Sequence, residues 1–148
     1  MLKRSFWDDV PEARRAIMRA VKSKDTKPEM TVRRLVHGMG YRYRLHRKDL
    51  PGKPDLAFGP RKKVIFVHGC FWHRHADPAC HSARLPKSRL DFWLPKLEGN
   101  RRRDTKSLDR LGQAGWAALT IWECQLRDMD TVTERVLAFL GPRGRGNG

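Results

Sequence analysis

The chain has 148 residues, with 32 Lys and Arg against 16 Asp and Glu, a formal net charge of +16. That length allows one hydrophobic core and is short for two, and so large a charge excess points to an anionic partner: nucleic acid, an anionic membrane surface or an acidic protein. No apolar run approaches the ~20 residues of a spanning helix, and the N-terminal segment lacks the apolar stretch of a secretory signal, so no membrane partner and a cytoplasmic, bacterial location beside the chromosome are expected.

In chain order, residues 14–23 read as a short basic helix or arm carrying Ile17, Met18 and Val21. Asp25 or Thr26 is placed to cap a second helix with Pro28 and Glu29 in its first turn. Its apolar positions Val32, Leu35, Val36 and Met39 recur at helical spacing, and Gly38 and Gly40 end it. Residues 41–45 alternate and predict a strand with one wet, basic face. Pro51-Gly52 is a turn, and residues 55–58 and 63–67 predict a hairpin closed at Gly59-Pro60, its second strand fully buried. Ser88 is expected to cap a helix bearing Leu90, Phe92, Trp93 and Leu97, with a kink or break at Pro95 and Gly99. The helix is expected to resume over 101–111 and to stop near Gly112 and Gly115. Residues 116–122 predict a third buried strand, and Thr131 to Glu134 have capping-box spacing for a last helix to Leu140. The glycine-rich tail, 141–148, is expected to be disordered. The pattern is a single α/β domain over 1–140, with an arm at 1–13 and a central mixed sheet flanked by helices.

The chemistry concentrates in residues 67–81, which hold His68, His73, His75 and His81 together with Cys70 and Cys80. The third cysteine, Cys124, follows the predicted 116–122 strand. Three cysteines cannot all pair, which argues against a disulfide framework. Zinc prefers thiolate and imidazole donors in a tetrahedron. Cys70, His75, Cys80 and Cys124 would supply a closed structural site, with His81 or Asp77 as replacements for one ligand. Asp55, in the PGKPD turn, and His68, at the end of the next strand, stand at neighbouring strand ends. There a carboxylate and an imidazole can share one site for a hard cation such as Mg²⁺.

These segments carry a resemblance. PGKPD at 51–55, VIFVHGCFWHRH at 64–75, FW at 92–93, NRRRD at 100–104 and WEC at 122–124 resemble the very-short-patch repair (Vsr) DNA mismatch endonucleases in order and spacing over 16–126. The resemblance implies a restriction-endonuclease-like fold with a structural zinc site. It implies Mg²⁺-dependent nicking of one strand of double-stranded DNA beside a T:G mismatch left by deamination of 5-methylcytosine. It makes Asp55 the acidic Mg²⁺ ligand and gives the Val67 carbonyl a contact to the same ion. His68 and His73 match the catalytic histidines, and Glu29 an acidic residue reaching the metal's water shell. Phe71 and Trp72 match aromatics that wedge into the base stack, which costs least where a mismatch has already loosened it. Met18 matches a residue entering from the opposite groove. Arg101, Arg102, Arg103 and Lys106 are expected to contact DNA phosphates, which position the duplex without reading its sequence. A monomer is expected, and mismatch-repair factors are candidate partners.

The chain departs from the family at three points. Val67 stands where Thr is usual, a change that leaves the carbonyl in place. Four residues separate His75 from Cys80, more than in the best-known form of the loop. Phe66 and His68 occupy the positions of the restriction-type Glu-x-Lys pair, which leaves Asp55 more alone as a carboxylate.

Overall fold

A computed structural model describes residues 26–73, 75, 76, 80, 85 and 87–142. The expected arm, the 14–23 helix with Met18, and residues 143–148 lie outside them. In chain order the elements are α1 (Lys27–Gly38), β1 (Arg44–Leu45), β2 (Leu56–Phe58), β3 (Lys63–His68), α2 (Leu90–Gln113), β4 (Ala117–Trp122), a 3₁₀ turn (Glu123–Arg127) and α3 (Met129–Leu140). The sheet order is β1-β2-β3-β4. The first three strands run antiparallel, whereas β4 joins β3 in parallel, pairing Lys63 with Ala117 and His68 with Trp122. A parallel pair needs a crossover, and α2 supplies it.

Alternation along the strands divides the core in two. Leu56, Phe58, Ile65 and Ile121 face α1 and α3, meeting Val32, Val36, Val132, Val136 and Leu140. Ala57, Val64 and Phe66 face the other way, onto Leu111 of α2. The molecule is therefore a helix–sheet–helix sandwich, and each fully buried aliphatic side chain contributes about 1.5–3 kcal/mol. Among the described residues no helix is long and apolar enough to cross a membrane.

The first helix forms as its sequence predicts. Thr26 caps it, its hydroxyl accepting from the Glu29 N–H at 3.4 Å, with Pro28 in the first turn. At its end Gly40 takes φ +98°, while the Tyr41 and Gly40 N–H groups return to the Val36 and His37 carbonyls. That is a Schellman ending, and it drops Tyr41 onto Val36 in the core.

Elsewhere the structure corrects the reading. Only Arg44 and Leu45 pair as a strand, although Tyr41 and Tyr43 turn inward and Arg42 and Arg44 outward as the alternation requires. The α2 helix runs unbroken for 24 residues through Pro95 and Gly99, and Arg89, not Ser88, precedes it. Pro95 is the sixth residue of that helix and removes one hydrogen bond near its start, while Trp93 and Leu97 on either side are both buried and hold it to the body. β4 is an edge strand, so of its six residues only Ile121 is fully buried. Trp116 precedes the strand and packs against the Leu111 cluster. α3 begins earlier than Thr131, because Asp128 accepts from both the backbone N–H and the hydroxyl of Thr131, at 3.2 and 2.6 Å. Gly141 and Pro142, read as the start of a disordered tail, are held: the Tyr41 hydroxyl donates to Gly141 and Arg61 Nη2 to Pro142.

The PGKPD turn is fixed by close approach. Gly52 has φ +78°, and a Cβ there would lie 2.8 Å from the Ser107 Cβ on α2. Glycine lets the turn lie against that helix, which delivers Asp55 to the head of β2.

Candidate functional site

Asp55 immediately precedes β2, and its Oδ2 accepts the Val67 N–H at 2.6 Å near the end of β3. Glu29, buried in the first turn of α1, reaches the same place, with a carboxylate oxygen within 4.8 Å of one of Asp55. Burial pushes Asp55 up to about 8, with Glu29 adding to the rise and the Val67 N–H opposing it. His46, just beyond β1, completes the group. Its Nε2 lies 2.9 Å from Glu29 Oε2, and ligand atoms of Glu29, His46 and Asp55 lie within 4.8 Å of one another. Arg33, one helical turn after Glu29, pairs with the same Oε2. A buried carboxyl and a half-buried one this close resist joint ionisation, and a divalent cation would remove that cost. The oxygen donors suit a hard ion such as Mg²⁺.

A second group forms on the opposite face of β3. His68 closes the strand with its side chain turned toward α2, and the His73 ring stacks on it with centroids 3.9 Å apart and planes 6° apart. The Nδ1 of His73 lies 2.6 Å from Oδ2 of Asp104, on α2. Burial holds His68 down at about 4, with His73 adding to the fall and Asp104 opposing it, so the ring is neutral at neutral pH. Its Nδ1 is buried and has no hydrogen-bond partner among the described residues.

The thiols form a third group. Cys70, His75, Cys80 and Cys124 bring ligand atoms within 4.8 Å of one another, and no disulfide joins the three cysteines. The Cys124 Sγ lies 3.4 Å from His75 Nδ1, and the Cys124 N–H points at the Cys70 Sγ. Burial, with Cys80 and Cys124 adding, pushes the Cys70 thiol up to about 12. Packing three sulfurs and an imidazole together fits zinc, whose charge would allow the thiols to ionise side by side. Cys80 joins this group despite the longer loop, while Asp77 and His81 lie outside the described residues. Trp122 joins the second and third groups, stacked on His75 at 4.3 Å and edge-on to His68 at 5.2 Å.

Phe71 and Trp72, both half-buried, stand at the rim. Their rings meet Trp93 of α2 edge-on, at 5.3 and 6.0 Å, and Asn100 donates to the Trp72 carbonyl. Arg101, Arg102, Arg103 and Lys106 are exposed on α2.

The predicted residues thus assemble with a different division. Asp55 groups with Glu29 and His46, whereas His68, paired with Asp55 in the sequence reading, groups with His73 and Asp104. The restriction-type Glu-x-Lys pair is absent, yet Asp55 is not alone, because Glu29 arrives from α1. Asp104 and His46 were missed. Asp104 carried a signal, since Trp93, Leu97, Asn100, Asp104, Ser107 and Leu111 recur at helical spacing and place a carboxylate on a buried stripe. His46 carried none, for its position depends on a left-handed backbone, φ +46°, at the end of a two-residue strand.

A family model described as DNA mismatch endonuclease Vsr matches residues 8–79. The type II nicking enzyme V.XorIIP of Xanthomonas oryzae pv. oryzae is 51% identical over 132 residues, covering 89% of this chain and 95% of that protein. The DNA mismatch endonuclease Vsr of Escherichia coli K12 is 39% identical over 120 residues, covering 81% of this chain and 75% of that protein. Among solved structures, the catalytic domain of the homing endonuclease I-Bth0305I superposes with a TM-score of 0.53 at 22% identity, covering 78% of this chain and 94% of that one. At that identity the likeness speaks for the fold alone.

Proposed function

The chain belongs to the Vsr family of DNA mismatch endonucleases and is a nicking endonuclease of very-short-patch repair, and from that premise we propose that it cuts the T strand beside a T:G mismatch with Mg²⁺ at Asp55. The observation that carries the reading is the pairing of two groups across the end of β3. A carboxyl pair, half-buried Asp55 and buried Glu29, lies beside Val67, and the next residue, His68, stacks on His73, which Asp104 holds. The mixed sheet with helices on both faces supports a restriction-endonuclease-like class.

Asp55, Glu29 and the Val67 carbonyl would hold the Mg²⁺. When bound, the ion supplies charge neutralisation at the scissile phosphate and acidifies water for the attack. With its Nδ1–H given to Asp104, His73 keeps Nε2 as its basic nitrogen, half-exposed and oriented to move a proton. His68 stays neutral, because burial and the adjacent His73 oppose its charging, and it serves as the surface on which His73 is aligned. Zinc on Cys70, His75, Cys80 and Cys124 would staple the loop carrying Phe71, Trp72 and His73 to the end of β4. Phe71 and Trp72, backed by Trp93, are stiff enough to enter a base stack. Unstacking costs a few kcal/mol per step and least at a mismatch, which gives T:G preference a physical origin.

The test is a nicking assay on matched and T:G duplexes, strands labelled separately, with and without Mg²⁺. Magnesium-dependent cutting of the mismatched T strand alone is expected. Cutting of matched duplex at an equal rate would replace the mismatch reading with a nicking enzyme of other specificity, and metal-independent cutting would remove Mg²⁺ from Asp55.

A further inference from the structure

His46 holds an unusual place. It lies beyond the last residue of β1 with φ +46°, a left-handed conformation that residues other than glycine rarely adopt. Its backbone N–H points to the Asp55 carbonyl at 3.4 Å, so its main chain is tied to the residue that leads into β2. Its side chain is mostly covered, 23% exposed, and puts Nε2 at 2.9 Å from Glu29 Oε2 and 3.4 Å from Arg33 Nη2. A guanidinium only donates. The shorter contact is to the carboxylate, so Nε2 carries its proton toward Glu29.

Two cationic or donor groups therefore fall on one oxygen of Glu29, and their geometries differ in kind. Arg33 sits four residues on in the same helix. Its contact fixes the Glu29 rotamer relative to α1 and moves with that helix. His46 comes from the sheet, on the segment tied to Asp55. Its contact therefore ties the Glu29 carboxylate to the backbone beside Asp55.

Resting on the reading of Asp55 as the cation ligand, we infer that His46 is a positioning residue of that centre, holding the Glu29 carboxylate beside Asp55 so that both meet one divalent cation. It touches neither phosphate nor water in this role. Hydrogen-bonding partners of metal ligands typically change metal affinity 10–100-fold when removed, and a glutamine can restore the donor that alanine deletes.

The experiment measures Mn²⁺ binding to the full-length, zinc-loaded protein by electron paramagnetic resonance and calorimetry, without DNA, for the parent, His46→Ala, His46→Gln and Asp55→Asn. Melting temperatures are recorded alongside. His46→Ala is expected to weaken Mn²⁺ binding about 10–100-fold, and His46→Gln to recover most of it. In nicking assays the Mg²⁺ concentration for half-maximal rate rises in parallel. Unchanged Mn²⁺ affinity in His46→Ala, with Asp55→Asn impaired, overturns the role of His46 alone. A glutamine variant no better than alanine overturns it too. Unchanged affinity in Asp55→Asn overturns the cation centre itself.

Discussion

Asp104 follows three exposed arginines on α2 yet turns inward to His73, 2.6 Å away. Its carboxylate accepts the Nδ1 proton and so selects the tautomer with a basic Nε2. An asparagine can instead donate its amide to Nδ1 and stabilise the opposite tautomer, leaving shape intact and chemistry impaired. Asp104→Asn is therefore expected to lower the nicking rate by about 10²–10⁴-fold, the usual worth of a proton-transfer group, with duplex affinity unchanged in a gel-shift titration. A parent-like rate would show that His73 moves no proton in the slow step. At this scale the histidines and thiols were legible, because their residue types announce their chemistry. Asp104 was legible only in part, because its place on the buried stripe of α2 is periodic while an aspartate among arginines also reads as a solvated face, and His46 was not, because a histidine after a short strand reads as nothing. Only the partner across the fold, His73 for one and Glu29 for the other, gives them meaning.

At the level of elements, the last helix offers a test of its start. Asp128 accepts from the Thr131 N–H and hydroxyl, which together hold its carboxyl below the ordinary range. A carboxyl depressed in the folded state contributes stability above its unfolded value, about 3.9, and loses it as pH falls through and below that value. Asp128→Ala is expected to melt below the parent at neutral pH and to match it in acid, whereas Thr131→Ala retains the backbone cap and costs less. Thermal melts at both pH values decide between them. The thiol group works on the same scale, joining the loop after β3 to the turn after β4. Cys124→Ser is expected to release zinc and to lower the melting temperature, and a chelator to do the same to the parent. Zinc retained at an unchanged melting temperature would remove Cys124 from the ligand set. Element types and order were largely readable from periodicity. The edges were not, since Pro95 and Gly99 are breakers whose local cost is outweighed by the burial of Trp93 and Leu97 on either side.

The whole molecule carries +16, and much of that charge is solvent-exposed. Arg101, Arg102, Arg103 and Lys106 stand on the outer surface of the helix whose inner stripe holds Asp104 and Asn100. One helix thus supplies both a cationic exterior and a wall of the site. Each phosphate neutralised contributes about −0.9 to the slope of log affinity against log salt. Replacing all four with alanine is expected to flatten that slope by up to about 3.6, with the preference for a mismatched over a matched duplex kept. A parent-like slope would assign these cations to a solvated face, with the phosphates met elsewhere.

The sequence by itself determined the class of partner, the family and most of the chemical groups, because charge, thiols, imidazoles and short motifs state their chemistry without reference to position. It also determined the types and order of most helices and strands, though not their edges, because burial periodicity is local. Tertiary structure alone decided which groups act together. β3 sends Val67 and His68 to opposite faces, so neighbours in sequence serve separate clusters, while Glu29, His46 and Asp55, drawn from three segments, share one. That division follows from strand alternation and from which helix covers each face, and both are properties of the assembled sheet.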